Sequence, residues 1–189
     1  MTITSEEQFT ETSTTSISAD IYLVRYGTVP EVARFANLGS DSPVRGMTVV
    51  VQTHRGLQLG TVLERLKPNS EPATESETDF QLIRIASGED LQTAKVRLRE
   101  CEEVFPEWCA RIDQWHLNLE LVDLEWTLDR QKLILYVLCD RGPDVTKLAL
   151  QAAAGGFGVI EVQPVSALGQ VTIPQSSCGS GGGGCGCSH

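Results

Sequence analysis

LELVDLEWTLDRQKLILYVLC, residues 119–139, decides the architecture. Its first part alternates: Val122, Leu124, Trp126 and Leu128 fall on one face, Asp123, Glu125 and Thr127 on the other. That period of two marks a strand with one buried and one solvated face. Asp129-Arg130-Gln131 then makes a turn, and KLILYVLC (residues 132–139) is a continuous apolar strand, as expected of one lying centrally in its sheet.

Upstream, the apolar period changes from two to steps of three and four. Leu91, Ala94, Leu98, Cys101, Phe105, Trp108, Ile112 and Trp115 form one stripe of a long helix, started at Ser87-Gly88-Glu89-Asp90, where acidic groups suit the positive helix end. Pro106 falls inside it and costs about 3 kcal/mol in a helix interior. The stripe keeps its phase across the proline, so the helix is expected to kink there and continue. Its aromatics predict packing on a sheet; the same spacing would also serve a coiled-coil seam. Downstream, Asp144 is expected to cap a short helix with Val145, Leu148, Ala149 and Ala152 inward, ended by Gly155 and Gly156, before a last strand FGVIEVQPV. The order helix, strand, strand, helix, strand predicts an α+β layer, with two helices on one face of an antiparallel or mixed sheet.

A β-rich part precedes this layer, over residues 20–67. IYLVRYG, VARFANL, MTVVVQT and LGTVLERL are short, rich in β-branched and aromatic residues and separated by turn formers, which predicts a small antiparallel sheet or barrel. Between the last two, THRGLQLG sets Gly56 and Gly60 around a step suited to a hairpin turn followed by a bulge or a close backbone approach. Residues 68–79, PNSEPATESETD, read as a linker or long loop, and the α+β part spans 80–165, opening on a short strand FQLIRIA. Residues 1–19 are polar and aperiodic, as in a disordered arm, and 166–189 read as a flexible Gly/Cys-rich tail.

The 189 residues carry a net charge of -10, which opposes broad adhesion to nucleic acid or anionic lipid. Residues 20–67 are locally basic through Arg25, Arg34, Arg45, Arg55, Arg65 and Lys67, a pattern that suits a solvated surface or an RNA-facing patch. There is no apolar run long enough to span a membrane and no signal-like start, so a cytoplasmic location is expected. Cys101, Cys109 and Cys139 sit singly, and Cys178, Cys185 and Cys187 crowd the tail, which favours reduced thiols over a disulfide framework. The three tail cysteines and His189 supply the four ligands that zinc or an iron-sulfur cluster normally takes; the other reading is a disordered tail. His54 and His116 lack acid or thiol neighbours in sequence and read as surface or satisfied core groups. Asp123 and Glu125, on one strand face, are solvated or hold a cation.

GMTVVVQTHRGLQLGTVLE, RIASGED and LELVDLEWTLDRQKLILYVLCDRGPDVTKLALQAAAG resemble the C-terminal domain family named after the yeast polymerase-suppressor protein, whose bacterial members are the YaaT type, also called RicT. The likeness spans roughly residues 20–165. It implies a non-enzymatic regulator that works through protein partners, accessory subunits or a ribonuclease complex, on RNA processing and, in spore formers, on a phosphorelay. It also implies iron-sulfur clusters held by cysteines. The family's glycine step reads Arg-Gly-x-Glu-x-Gly; Arg55, Gly56 and Gly60 fit it, and Gln58 stands in the acidic position. Cys109 lies where the YaaT type often has a cysteine, although its place on the helix alone reads as a small core residue. At the tail, only the Cys178-Gly179 step matches the family's cysteine-rich end directly.

Three function classes follow. The first is the regulatory adaptor. The second is a nucleic-acid-binding module using the basic strands. The third is a metal or redox enzyme using the tail thiols, which finds no Gly-rich phosphate loop, nucleophile elbow or paired catalytic carboxylates in support.

Overall fold

The computed structural model describes residues 20–37, 39–66, 80–139, 143–166 and 169–170. Strands β1 (Asp20–Tyr26), β2 (Glu31–Asn37), β3 (Thr48–Thr53), β4 (Gly56–Arg65) and β5 (Gln81–Ile85) close into a barrel in the order β1-β2-β5-β3-β4. Of the two arrangements compatible with the strand pattern, the barrel forms because β4 pairs antiparallel with both β3 and β1. The FQLIRIA strand, β5, fills the gap between β2 and β3 and completes the ring, so no barrel edge is left to pair with another chain. Alternate residues of β1, Tyr22, Val24 and Tyr26, point inward with Phe35, Val49, Val51, Val62 and Leu82.

The second layer is α1 (Gly88–Gln114), β6 (Glu120–Trp126), β7 (Leu133–Leu138), α2 (Asp144–Ala154), β8 (Ile160–Ser166) and β9 (Gly169–Gln170). The sheet is mixed, β6-β7-β8-β9, with β7 and β8 parallel and α2 as their crossover. β7 is central, as its unbroken apolar run predicts, and five of its six residues are buried. Leu133, Leu135 and Val137 meet Trp108 and Ile112 of α1 and Leu148 and Ala152 of α2, while Ile134 and Tyr136 face the barrel. The sheet is therefore covered by helices on one side and by the barrel on the other.

Three local expectations change. The helix α1 begins at a capping box, Ser87 with Asp90, and passes through an exposed Pro106 unbroken. Its stripe is covered only in the C-terminal half: Cys101, Trp108 and Ile112 are buried, but Leu91 and Leu98 are 41% and 53% exposed. Asp144 does not cap α2; Pro143 takes the cap position, and Asp144 accepts from the Asn118 backbone N–H (3.0 Å) and from Lys147 Nζ (2.7 Å), tying α2 to the segment before β6. The face of β6 expected to be wet is instead turned toward the barrel: Thr127, just past its end, is fully buried and Glu125 is half-buried. Residues 1–19, 68–79 and most of the tail lie outside the described residues; Gly169–Gln170 pair with β8. Among the described residues no helix is long and apolar enough to cross a membrane.

Candidate functional site

The barrel meets the sheet through the β3–β4 hairpin, whose sequence is THRGLQLG. The turn holds because Thr53 Oγ1 accepts the Arg55 backbone N–H (3.1 Å) and Gly56 takes φ +130°, a region that favours glycine. A Cβ at Gly56 would sit 3.2 Å from Thr127 Cγ2, so the hairpin lies directly on the β6–β7 turn. There the Leu128 backbone N–H donates to the Leu57 carbonyl at 2.7 Å. Gly60 serves a second close approach: a Cβ would fall 2.5 Å from Val24 Cγ1 and 3.2 Å from the Arg25 carbonyl, where β4 crosses β1. The close approach expected from the glycine spacing is present at both positions.

Arg55 is 4% exposed and spans the two layers. Its Nη2 donates to Glu31 Oε1 of β2 (2.8 Å) and to Gln163 Oε1 of β8 (3.1 Å), and its Nε donates to Glu161 Oε1 of β8 (3.1 Å). Lys132 Nζ reaches the other Glu161 oxygen at 2.8 Å. A planar guanidinium with fixed donors suits such bridging, which a single ammonium cannot reproduce. Burial opposes charge on both Arg55 and Glu161. The bond and charge of Glu31 nonetheless hold Arg55 above its ordinary pKa, and Lys132 and Arg55 hold Glu161 below its own.

Two phenols complete the network. Tyr26 donates to Glu31 Oε2 and Tyr136 to Glu125 Oε2, each at 2.6 Å, and burial first, then the neighbouring carboxylate, raises both phenol pKa values. Glu125 also accepts the Thr28 backbone N–H (2.8 Å) and Gln58 Nε2 (2.7 Å). Gln58, 2% exposed, in turn accepts from Thr53 Oγ1 at 2.8 Å. His54 lies at the rim, its imidazole stacked on Phe80 and 3.7 Å from Glu161. Burial, then the charge of Arg55, lowers its pKa.

With the seam in place, the kinship of the chain becomes readable. Residues 80–154 match the PSP1 C-terminal conserved region. That stretch, less than half of the chain, is similar to the PSP1 region. The chain is also similar to the stage 0 sporulation protein YaaT of Bacillus subtilis (strain 168), with 29% identity over 106 residues. That stretch covers 56% of this chain and 38% of YaaT, so the chain matches well under half the length of this relative. No solved structure matches significantly. The PSP1 match begins at Phe80, so it covers β5, α1, β6, β7 and α2, while Arg55, Gly56 and Gly60 reach into it from the preceding hairpin.

Of the residues singled out from sequence, Arg55, Gly56 and Gly60 come together at the seam. Cys109 does not join them: it is half-buried on α1, across the sheet, and burial raises its thiol pKa. His116 is exposed just past α1. Asp123 accepts the neighbouring Leu124 backbone N–H. Cys178, Cys185, Cys187 and His189 lie outside the described residues, among which no group of three His, Cys, Asp or Glu could hold a metal. Sequence reasoning missed Glu31, Glu161, Gln163, Lys132 and the two tyrosines. The available signal was Glu161 and Gln163 two apart in an otherwise apolar last strand, which puts two polar groups on one face.

Proposed function

We propose that the chain is a non-enzymatic regulatory adaptor that acts through protein partners on RNA processing or signalling. The observation that carries this reading is the seam itself. Its charged and phenolic groups meet one another: Glu31 takes Arg55 and Tyr26, Glu161 takes Arg55 and Lys132, and Glu125 takes three donors. Such a network fixes two layers in one geometry, which is the property a docking scaffold needs. The distant homology to a sporulation protein supports a regulatory role. The nucleic-acid alternative is weakened because Arg55 and Arg65 are committed to Glu31 and Glu161 and to Asp20. Purification of the tagged full chain from its own cells is expected to recover an RNA-processing enzyme or its accessory proteins. Recovery of neither would sink the adaptor reading.

The tail belongs to the same proposal. Three thiolates and an imidazole are soft and borderline donors that together make a four-ligand set for zinc or an iron-sulfur cluster, and the three thiolates alone would leave one position for a ligand from a partner. Anaerobic purification, with absorption spectra and metal analysis of the full chain and of a chain lacking residues 178–189, tests it. Equal, metal-free results for both remove the metal from the proposal.

A further inference from the structure

Beyond its acidic first turn, Glu89 and Asp90, helix α1 is divided in charge as well as in burial. Residues 91–99 carry Lys95, Arg97 and Arg99 and no carboxylate; residues 100–107 carry Glu100, Glu102, Glu103 and Glu107 and no cation. The basic half is the half whose apolar stripe is uncovered, with Leu91 and Leu98 exposed. Lys95 stands four residues after Leu91 and three before Leu98, on the same side of the helix. Neither Lys95 nor Arg99 makes an ion pair among the described residues, and both are exposed.

Beside this half-helix runs a cleft of about 230 Å³, open between α1 and the barrel, with Ala94, Leu98, Leu59 and Leu128 among its walls and Thr28 on the barrel side. Arg97 also lines it. Its Nη1 is held by both oxygens of Glu100 at 3.0 Å, but its Nε is buried and has no acceptor among the described residues. A buried N–H without an acceptor costs about 1–3 kcal/mol, so an occupant that brings an oxygen there is favoured over an apolar one alone.

We propose that this cleft and the exposed half of α1 form a docking surface for an acidic, leucine-bearing helical segment of a partner protein. The apolar cleft takes the leucines, Lys95 and Arg99 face the carboxylates on the rim, and Arg97 Nε receives a carboxylate or carbonyl oxygen. The concave shape favours a side-chain-bearing helix over a lipid surface, which is flat. The inference rests on the adaptor reading only in requiring a protein partner.

The test uses the ¹⁵N-labelled full chain and two synthetic helical peptides with the same leucine spacing, one flanked by Glu and one by Lys. The acidic peptide is expected to shift the amides of Thr28, Leu59, Ala94 and Leu98, to bind at least roughly tenfold more tightly than the basic one, and to weaken with salt. Leu98→Glu and, independently, Lys95→Glu each reduce its affinity roughly tenfold; both positions are exposed, and unchanged thermal unfolding confirms that the variants fold. Equal binding of the two peptides, shifts confined to other surfaces, no shift at about 1 mM peptide, or indifference to both substitutions overturns the proposal. So does self-association or binding to phosphatidylglycerol vesicles that Leu98→Glu abolishes, since a second copy or a membrane would then be the occupant. Each of these leaves the adaptor reading standing, because that reading is judged by which proteins the full chain recovers from cells.

Discussion

Replacing Gln58 by Glu converts one hydrogen bond of the seam into a contact between two carboxyl groups. Gln58 Nε2 lies 2.7 Å from Glu125 Oε1 and the residue is 2% exposed, so a glutamate there has nowhere to turn. At an effective dielectric near 20, two unit charges at that distance repel by roughly 6 kcal/mol, and the pair avoids this by keeping one proton between them. The protonated acid preserves the geometry: it donates to Glu125 and still accepts from Thr53. The unfolded glutamate ionises at about pH 4.3, so above that pH folding of the variant takes up a proton. The native state then binds more protons than the unfolded one, and stability falls as pH rises, by about 1.4 kcal/mol per unit.

The variant is therefore expected to match the parent near pH 4 and to fall behind it by about 3.7 kcal/mol at pH 7, which is 2.7 units at that slope. Urea denaturation of both proteins from about pH 4.5 to about pH 7.5 measures it, and the difference between them cancels every other titrating group. A difference that stays constant with pH would show that position 58 does not share a proton with Glu125, and the account of the seam as a closed network would fail there.

Other substitutions probe the same joint. Arg55→Ala leaves Glu31 partly buried without its counter-ion and Glu161 with Lys132 alone; their side chains are 26% and 24% exposed, which sets the loss near the lower end of the range for a broken buried pair, about 3 kcal/mol in urea unfolding. Arg55→Lys recovers only part of that, because one ammonium cannot reach three acceptors. Gly60→Ala forces Val24 or the β1 backbone to move and costs about 1–3 kcal/mol by thermal unfolding, with no effect expected on the pH dependence. Glu161 is held below its ordinary pKa, so it contributes stability above the unfolded value of about 4.3 that is lost as pH falls through the folded value; Glu161→Gln flattens the acid limb of the stability curve. Ser87→Ala removes the side-chain acceptor for the Asp90 backbone N–H and costs about 1 kcal/mol, read as lower thermal stability.

The α+β layer was legible because its signals are local. The period of two in β6, the unbroken apolar run of β7 and the three-and-four stripe of α1 each report a burial pattern written in consecutive residues. What was not legible depends on which element covers which face. β6 shows apolar and polar faces whether the polar face meets water or a barrel carrying donors, so Glu125 and Thr127 read as solvated. In the same way, the stripe of α1 does not show where its cover ends, so Leu91 and Leu98 read as core alongside Trp108 and Ile112. Asp144 looked like a cap because the residue that competes for it, Asn118, lies 26 positions away.

The position of Arg55 bears on how its motif acts. A partner cannot reach a guanidinium that is 4% exposed and bonded to three side chains, and Gly56 and Gly60 face Thr127 and Val24 instead of open space. If the adaptor reading holds, these residues act on partners only through the relative placement of barrel and sheet. The cleft beside α1 has walls from both layers, Leu59 and Thr28 on one side and Ala94 and Leu98 on the other, so its width is set by the seam. If the adaptor reading holds, weakening the seam with Arg55→Ala lowers partner affinity even in conditions where the protein remains folded, whereas a surface change such as Lys95→Glu lowers affinity without touching stability. Measuring both quantities for both variants separates the residues that hold the surface in shape from those that meet the partner.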